Sequence, residues 1–344
     1  MGYFKRVSKM TPTRLWVNNA TVEHSRAGIK AGAVGCTQNP SYVSKMLQFD
    51  PNLCNDTIDK WIERLDDDNE VLIQVQSELI GLVAKEFLPI YEQSNAQLGY
   101  VTIQGDPFDE TTQSIMRQAE IARQYGPNVM IKIPVVPEGI DAISSLAQAG
   151  IPVCCTEVFA LRQAIDICEA FLTATEGREK PVVYLAHIAG VYDEYLANYA
   201  KENNIDILPD VLWHAGIEAA KKVYSVVKER RYPVEFLSGG ARDSHHFTEM
   251  VGAKATITIN WAGMAEELEA SDTLVVQRFQ TPTPYTIVDE LIQKLPDFKR
   301  GYFENGITPE EYESFGPVVL FRDAFQKGWN IALEAISKRR VALK

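Results

Sequence analysis

Short apolar runs alternate along the chain with longer segments of helical character. The runs lie at residues 14–18, 33–35, 99–104, 128–133, 151–156, 181–188, 234–240 and 255–260. Strands that alternate with helices predict right-handed βαβ units and a parallel sheet. Because eight such strands are enough to close a barrel, we predict an α/β fold of the TIM (β/α)8 type.

The helical segments carry start and stop signals of their own. The segment that begins near Asp109 is followed by Gly126, and the segment that Pro137 opens ends at Gly150. A glycine at this place favours the left-handed conformation that terminates many helices. Thr308 and the proline after it predict a further helix start near the end of the chain.

Two regions interrupt the regular alternation of strands and helices. We predict one domain over residues 1–344, with the barrel at about 13–270, a helical insertion at about 41–98 and a C-terminal helical extension at about 271–344. The sequence leaves open whether the extension covers the barrel mouth or mediates contacts in a homodimer.

Composition narrows the class of protein. The 344 residues are 46% hydrophobic and 23% charged, and the formal net charge is −12. An acidic chain without a long basic tract is a poor nucleic-acid binder, and no apolar run has the length of a membrane span. Five cysteines without paired CxxC spacing argue against a disulfide framework and against a structural zinc site. We therefore predict a reduced, cytoplasmic protein with no membrane partner.

Lys132 is an unusual residue, because it lies inside the apolar run at 128–133. Lysine is seldom buried without a partner or a role. Burial lowers the pKa of an amine, and a neutral amine attacks carbonyl carbon to form a Schiff base. The alternative is a lysine that extends outward to solvent or to a carboxylate.

Four sequence motifs occur in one order along the chain. They are GAVGCTQNPSYV at 32–43, GYVTIQGDPFDET at 99–111, KIPVVPEGIDAISSLAQAGIPVCCTEVFALRQA at 132–164 and FLSGGARD at 236–243. Together they resemble motifs of the transaldolase family, and the resemblance covers about residues 13 to 270.

The resemblance implies a Schiff-base enzyme of carbohydrate metabolism that needs no metal and no cofactor. It places the imine-forming lysine at Lys132 and an asparagine that contacts substrate hydroxyls at Asn39, with Thr37 as its companion. Thr156 falls on the threonine that positions catalytic water, and Arg242 on one of two phosphate-binding arginines. The implied partner is a small sugar or sugar phosphate.

The sequence departs from the family at several site positions. The acid–base aspartate of the first strand is Asn18 here, and the acid–base glutamate of the third strand is Gln104. Fructose-6-phosphate aldolases of the same superfamily also carry glutamine at the latter place. The second phosphate-binding arginine is replaced by Val191, so the sequence predicts a weaker phosphate clamp.

Proton transfer therefore needs other groups. His187 is one candidate, because it titrates near neutrality and follows the family's serine position. Glu157 beside Thr156 is the other, and Ser238 on the seventh strand is a further candidate for substrate binding. Each has a simpler interpretation: His187 as a hydrogen-bonded core residue, and Glu157 as a carboxylate in the first turn of a helix.

We therefore predict a transaldolase-like enzyme that transfers or releases a dihydroxyacetone unit through Lys132. Two alternatives stay open, namely an aldolase of the fructose-6-phosphate type that acts on a weakly phosphorylated or unphosphorylated sugar, and a barrel that only binds a metabolite. The adjacent His245 and His246 are expected to face different directions rather than to form a metal site.

Overall fold

The computed structural model describes residues 1–343, and its centre is a closed barrel of eight parallel strands hydrogen-bonded in chain order. The strands are β1 (Arg14–Asn18), β2 (Cys36–Thr37), β3 (Val101–Ile103), β4 (Val129–Pro134), β5 (Val153–Val158), β6 (Val183–His187), β7 (Glu235–Ser238) and β8 (Ala255–Asn260). Since β8 pairs with β1, the barrel has no free edge. The predicted TIM (β/α)8 barrel is confirmed.

Sixteen α-helices occur in residues 1–343, around the barrel and over one of its ends. They are α1 (Tyr3–Met10), α2 (Val22–Ala31), α3 (Tyr42–Phe49), α4 (Pro51–Ile62), α5 (Asp68–Gln93), α6 (Thr112–Ala122), α7 (Pro137–Gln148), α8 (Leu161–Ala174), α9 (Ala189–Glu202), α10 (Pro209–Leu212), α11 (Ala215–Glu229), α12 (His245–Thr248), α13 (Glu266–Ala270), α14 (Tyr285–Lys294), α15 (Pro296–Tyr302) and α16 (Gly316–Ala342). Over the same residues, the helices lack the combination of length and apolarity that a membrane span requires.

Large side chains fill the interior of the barrel. Trp16 and Tyr184 lie with their ring centres 4.7 Å apart, and Met130 belongs to the same buried cluster. Because side chains along a strand alternate between two faces, Lys132 lies on the same face of β4 as Met130. The apolar filling below Lys132 thus leaves its amine at the carboxyl end of the barrel, where TIM barrels place their chemistry.

The second strand begins later than predicted. The expected strand at 33–35 was wrong, because β2 covers only Cys36 and Thr37. Residues 34 and 35 do bond to β1, but pairing with β3 starts only at Cys36. Gly35 packs so closely on Trp16 that an added Cβ would lie 2.4 Å from the indole ring.

The helix-end predictions have mixed outcomes. Gly150 has φ +73°, which confirms the left-handed stop after α7. Gly126 has φ 165°, an extended value, so a left-handed cap there was wrong; α6 first tightens into a 3₁₀ turn at Arg123–Tyr125. The start signal at Thr308 opens only a 3₁₀ turn, Pro309–Glu311, and the long terminal helix begins at Gly316.

The insertion and the extension meet over the carboxyl end of the barrel. The insertion consists of α3, α4 and α5, and α16 packs against all three and against α9. Phe321 and Phe325 of α16 are largely buried and face the cavity that contains Lys132. The extension therefore covers the barrel mouth, a choice that the sequence left open.

Candidate active site

Lys132 lies in a closed, largely apolar environment. It is 6% exposed, and its Nζ donates a hydrogen bond of 3.0 Å to Oε1 of Gln104. The ring centres of Phe321 and Phe325 lie 5.7 and 5.4 Å from Nζ. Desolvation lowers the pKa of Lys132, against the opposing effects of Cys154 and Glu157. The shift is in the direction that makes the neutral, nucleophilic form of the amine more accessible.

Gln104 connects this amine to a buried carboxyl group. Its Nε2 donates to Oε1 of Glu157 at 2.9 Å, while its Oε1 accepts from Lys132. Glu157 has φ +60°, and the pairing between β5 and β6 shifts register between Cys155 and Val158. A bulge of this kind re-aims a side chain, and here it accompanies a carboxyl group directed toward Gln104.

Glu157 is fully buried, and its second carboxyl oxygen, Oε2, has no hydrogen-bond partner. Burial raises its pKa, although Arg322, Gln104 and Lys132 act in the opposite direction. A buried carboxyl group with a raised pKa and a free oxygen is suited to take up and release a proton.

A second carboxyl group lies in the same region. Oε2 of Glu110 is 3.0 Å from Nε of Arg322, a residue of α16. Burial, together with the charge of Glu157, raises the pKa of Glu110 to about 8 against the opposing effect of Arg322. The half-buried carboxyl group of Glu110 and the buried one of Glu157 are thus both subject to the charge of Arg322 on the covering helix.

A network of amide and hydroxyl groups lines a cavity that Lys132 also lines. Thr37 Oγ1 donates to Oδ1 of Asn18 at 2.8 Å and lies 2.7 Å from Oγ1 of Thr258. Nδ2 of Asn18 donates to Oδ1 of Asn260 at 2.9 Å. These groups share with Lys132 a cavity of about 240 Å³, which Asn39 also lines. The network offers several donors and acceptors to a polyhydroxylated ligand.

Two cationic side chains line the same cavity. Arg242 is 46% exposed and donates from Nε to Glu194 at 2.6 Å, while Lys45 of α3 also lines the cavity. Desolvation lowers the pKa of Lys45, and the charge of Arg242 lowers it further. The two cations are therefore close enough to repel each other, which makes the space between them attractive to an anion.

Two predicted site residues, His187 and Ser238, lie elsewhere in the barrel wall. Ala186 and Ile188 line the cavity, but His187 between them does not; its ring packs against Tyr192 at 6.4 Å. Burial lowers the pKa of His187 to about 4, so the imidazole is neutral near pH 7. The structure thus does not bring His187 to the amine that it was expected to serve. Ser238 pairs with His187 across β6 and β7 and does not line the cavity either.

Thr156 is fully buried on β5, and its Oγ1 has no hydrogen-bond partner. It lies two residues after Cys154, which pairs with Lys132, so both β5 residues lie on the face that Lys132 shares. A buried hydroxyl without a partner is suited to hold a water molecule. The role that the resemblance implied for Thr156, the positioning of catalytic water, stays a prediction.

Sequence reasoning missed four residues that complete the site. Their shared feature is that they come from a loop or from the added helices rather than from the strands: Lys45, Glu110, Arg322 and Phe325. Glu110 follows β3 in a βα loop, the kind of position where barrel enzymes carry functional groups, and this could have indicated it. For the three helix residues, the sequence held no comparable signal.

Comparison with known proteins identifies relatives of this barrel. The family model described as Transaldolase/Fructose-6-phosphate aldolase matches residues 15–299. A protein named transaldolase from Thiobacillus denitrificans is 26% identical over 251 residues, which is 67% of this chain and 68% of that protein.

Two further relatives are also named transaldolase, and their alignments cover a smaller share of this chain. The transaldolase of Trichodesmium erythraeum is 28% identical over 53% of this chain and 48% of its own length. The transaldolase of Mycobacterium bovis is 24% identical over 62% of both proteins. The chain thus spans about half to two thirds of the length of these relatives.

Proposed function

The chain belongs to the transaldolase and fructose-6-phosphate aldolase family, and from this premise we propose that it is a transaldolase-like enzyme in which Lys132 forms a Schiff base with a ketose. The observation that carries the proposal is the buried Nζ of Lys132, held at 3.0 Å from Gln104 in an environment that lowers its pKa. A neutral amine at the carboxyl end of the barrel meets the first requirement of imine chemistry.

The proposed reaction needs several proton transfers. The amine adds to the ketone carbon, and loss of water gives a protonated imine. The hydroxyl on the β carbon then loses its proton, and the bond between the α and β carbons breaks. Its electron pair passes to the protonated imine, so that an aldehyde leaves and an enamine stays on Lys132. The enamine then attacks a second aldehyde or takes up a proton at carbon. Each step needs a group that gives or receives a proton.

We assign this proton-transfer role to Glu157. It is joined to Lys132 through Gln104 by hydrogen bonds of 3.0 and 2.9 Å, and its Oε2 has no partner. Gln104 itself cannot titrate, so it orients the imine and the carboxyl group relative to each other. Arg322 of α16 acts on Glu157 electrostatically, and Glu157 acts in turn on Glu110 in the loop after β3.

The cation pair gives the substrate its orientation. Arg242 and Lys45 would bind an acidic end of the sugar, with phosphate as the group that the family implies. Because Glu194 already neutralises part of the charge on Arg242, Lys45 supplies the stronger unpaired attraction. Lys45 thus offsets the phosphate-binding arginine whose position Val191 occupies.

Borohydride trapping tests the proposal. The protein is incubated with fructose 6-phosphate or dihydroxyacetone, reduced, digested, and the peptides are weighed by mass spectrometry. We expect a covalent adduct on Lys132 that is absent from Lys132→Met and retained in Lys222→Met, a change on the outer helix α11. Failure to trap any ketose, or an adduct on a different lysine, would contradict the proposal and favour a metabolite-binding barrel.

A second candidate function is an aldolase, favoured by the contact between Gln104 and Lys132. An aldolase protonates the enamine and releases dihydroxyacetone without an acceptor, whereas a transaldolase holds the enamine until an aldehyde phosphate arrives. Measuring free dihydroxyacetone with and without an acceptor separates the two: steady release without an acceptor identifies the aldolase.

A further inference from the structure

A cluster of two histidines and one aspartate lies outside the proposed catalytic groups. Asp193 belongs to α9, and His245 and His246 open α12 after the loop that follows β7. One ligand atom from each residue lies within 4.8 Å of the other two. The expectation that the two histidines face different directions was wrong, because their ring centres are only 4.0 Å apart.

Both imidazole rings are oriented in the same way. The Nε2 atoms of His245 and His246 lie 3.7 and 2.9 Å from Oδ2 of Asp193. The opposite ring nitrogens face Asp243: Nδ1 of His245 is 3.6 Å from the carboxylate, and Nδ1 of His246 is 3.2 Å from the backbone carbonyl. Two Nε2 atoms and one carboxylate oxygen thus converge on one point.

The arrangement leaves a buried polar group without a partner. The side chain of His245 is only 13% exposed, and neither of its ring nitrogens makes a hydrogen bond. Trp213 stacks on this ring at 4.7 Å and holds it in place. A buried imidazole with two unpaired nitrogens calls for an explanation, and a bound ion is one of the usual ones.

We propose that Asp193, His245 and His246 bind one divalent transition-metal ion, with Zn²⁺ as the probe, and that the ion fastens the loop after β7 to α9. Two imidazoles and a carboxylate are the ligand types that such ions prefer. In a tetrahedral site with bonds of about 2.0 to 2.1 Å, ligand atoms are about 3.3 Å apart, so small side-chain shifts suffice.

The surroundings support the ligands. Metal-bound histidines usually donate their other ring N–H to a carboxylate or a backbone carbonyl, and Asp243 offers one of each. Oδ1 of Asp193 accepts from the backbone N–H of Gly216, which leaves Oδ2 for the ion.

The site has a structural consequence for the cavity. Arg242 lies three residues before His245, on the loop that the ion would anchor, and its partner Glu194 follows Asp193 on α9. The ion would therefore fix the backbone on both sides of this ion pair. This inference does not rest on the proposed chemistry at Lys132.

Titration calorimetry tests the site directly. The full-length protein is freed of metal with a chelator and titrated with ZnCl₂ at about pH 7.5. We expect one ion per chain with a dissociation constant below about 1 μM, and a melting temperature that rises with Zn²⁺ because the ion binds the folded state. Substituting Co²⁺ should give visible absorption from the bound ion.

Variants separate the site from adventitious binding. His245→Ala and Asp193→Asn should each weaken Zn²⁺ binding by at least about tenfold. His214→Ala, which alters a histidine that contacts Trp213 edge-on but does not belong to the cluster, should leave Zn²⁺ binding unchanged. Circular dichroism checks that each variant is folded. If Asp193→Asn does not fold, His245→Ala alone tests the site. Absence of one-to-one binding, unchanged affinity in folded His245→Ala, or loss of binding in His214→Ala would overturn the proposal.

Discussion

Replacing Glu157 with glutamine removes the proposed proton carrier while keeping its shape. The amide oxygen of the variant can still accept the hydrogen bond of 2.9 Å from Gln104, so the geometry around Lys132 persists. The amide NH₂ takes the place of Oε2, which has no partner in the protein. We therefore expect a folded variant that loses at most about 1 to 3 kcal/mol of stability, the cost of one buried unpaired donor.

The expected kinetic effect is much larger than the structural one. A positioned acid–base group contributes about 10²- to 10⁴-fold to rate, which corresponds to about 3 to 5.5 kcal/mol in the barrier. The ability to form the imine should persist, because the amine of Lys132 is untouched. Glu157 raises the pKa of Lys132, so its removal lowers that pKa. Borohydride trapping in the variant should therefore extend to lower pH than in the wild type.

Two assays on the same preparations test this reasoning. Steady-state turnover of the ketose gives kcat, and trapping yield across pH follows the neutral amine. Glu176→Gln, a change at an exposed glutamate beyond α8, serves as the matched control. A kcat within about threefold of the wild type would remove Glu157 from the mechanism. Loss of both trapping and turnover would show instead that Glu157 positions Lys132.

Three further predictions concern the cavity and its cover. Lys45→Met and Arg242→Met should each raise KM for a phosphorylated ketose by about tenfold or more without changing KM for dihydroxyacetone; equal losses for both substrates would contradict the anion site. His187→Phe should leave turnover within about threefold of the wild type and should remove the contribution of His187 to the loss of stability in acid. The pKa of His187 is about 4 in the folded protein, so the wild type loses at most about 3 kcal/mol of its free energy of unfolding as the pH falls from about 6.5 to 4. Thermal melts of both proteins between acidic and neutral pH measure this loss. Phe325→Ala should lower the free energy of unfolding by about 3 to 5 kcal/mol, measured by chemical denaturation. By admitting water it should also raise the pKa of Lys132, so that borohydride trapping weakens at low pH; an unchanged pH profile of trapping would show that α16 does not shield the amine.

The barrel itself was predictable because it depends on a repeated local pattern. Apolar runs that alternate with helical segments predicted all eight strands, and seven of them overlap the observed ranges. The second strand was placed too early, because β2 has only two residues and its boundary depends on pairing with β3 rather than on composition. Lys132 was identifiable for a similar reason, since an amine inside an apolar run stands out in the sequence alone.

The faces of the strands were harder to predict. Side chains alternate along a strand, so an error of one residue moves a side chain from the cavity to the opposite face. His187 illustrates this, because Ala186 and Ile188 line the cavity while His187 contacts Tyr192. Glu157 shows the opposite case, because a register shift between β5 and β6 accompanies a side chain that is directed to Gln104. Neither outcome follows from residue type.

The sequence alone determined the barrel, the unusual lysine on its fourth strand and the absence of the family's two carboxylates, because periodicity and residue identity are local properties of the chain. Only the tertiary structure decided which groups surround that lysine. Arg322 reaches Glu110, and Phe325 reaches Lys132, because α16 folds back over the barrel mouth. Such contacts join residues far apart in the chain, and they depend on how helices pack rather than on any spacing within the sequence.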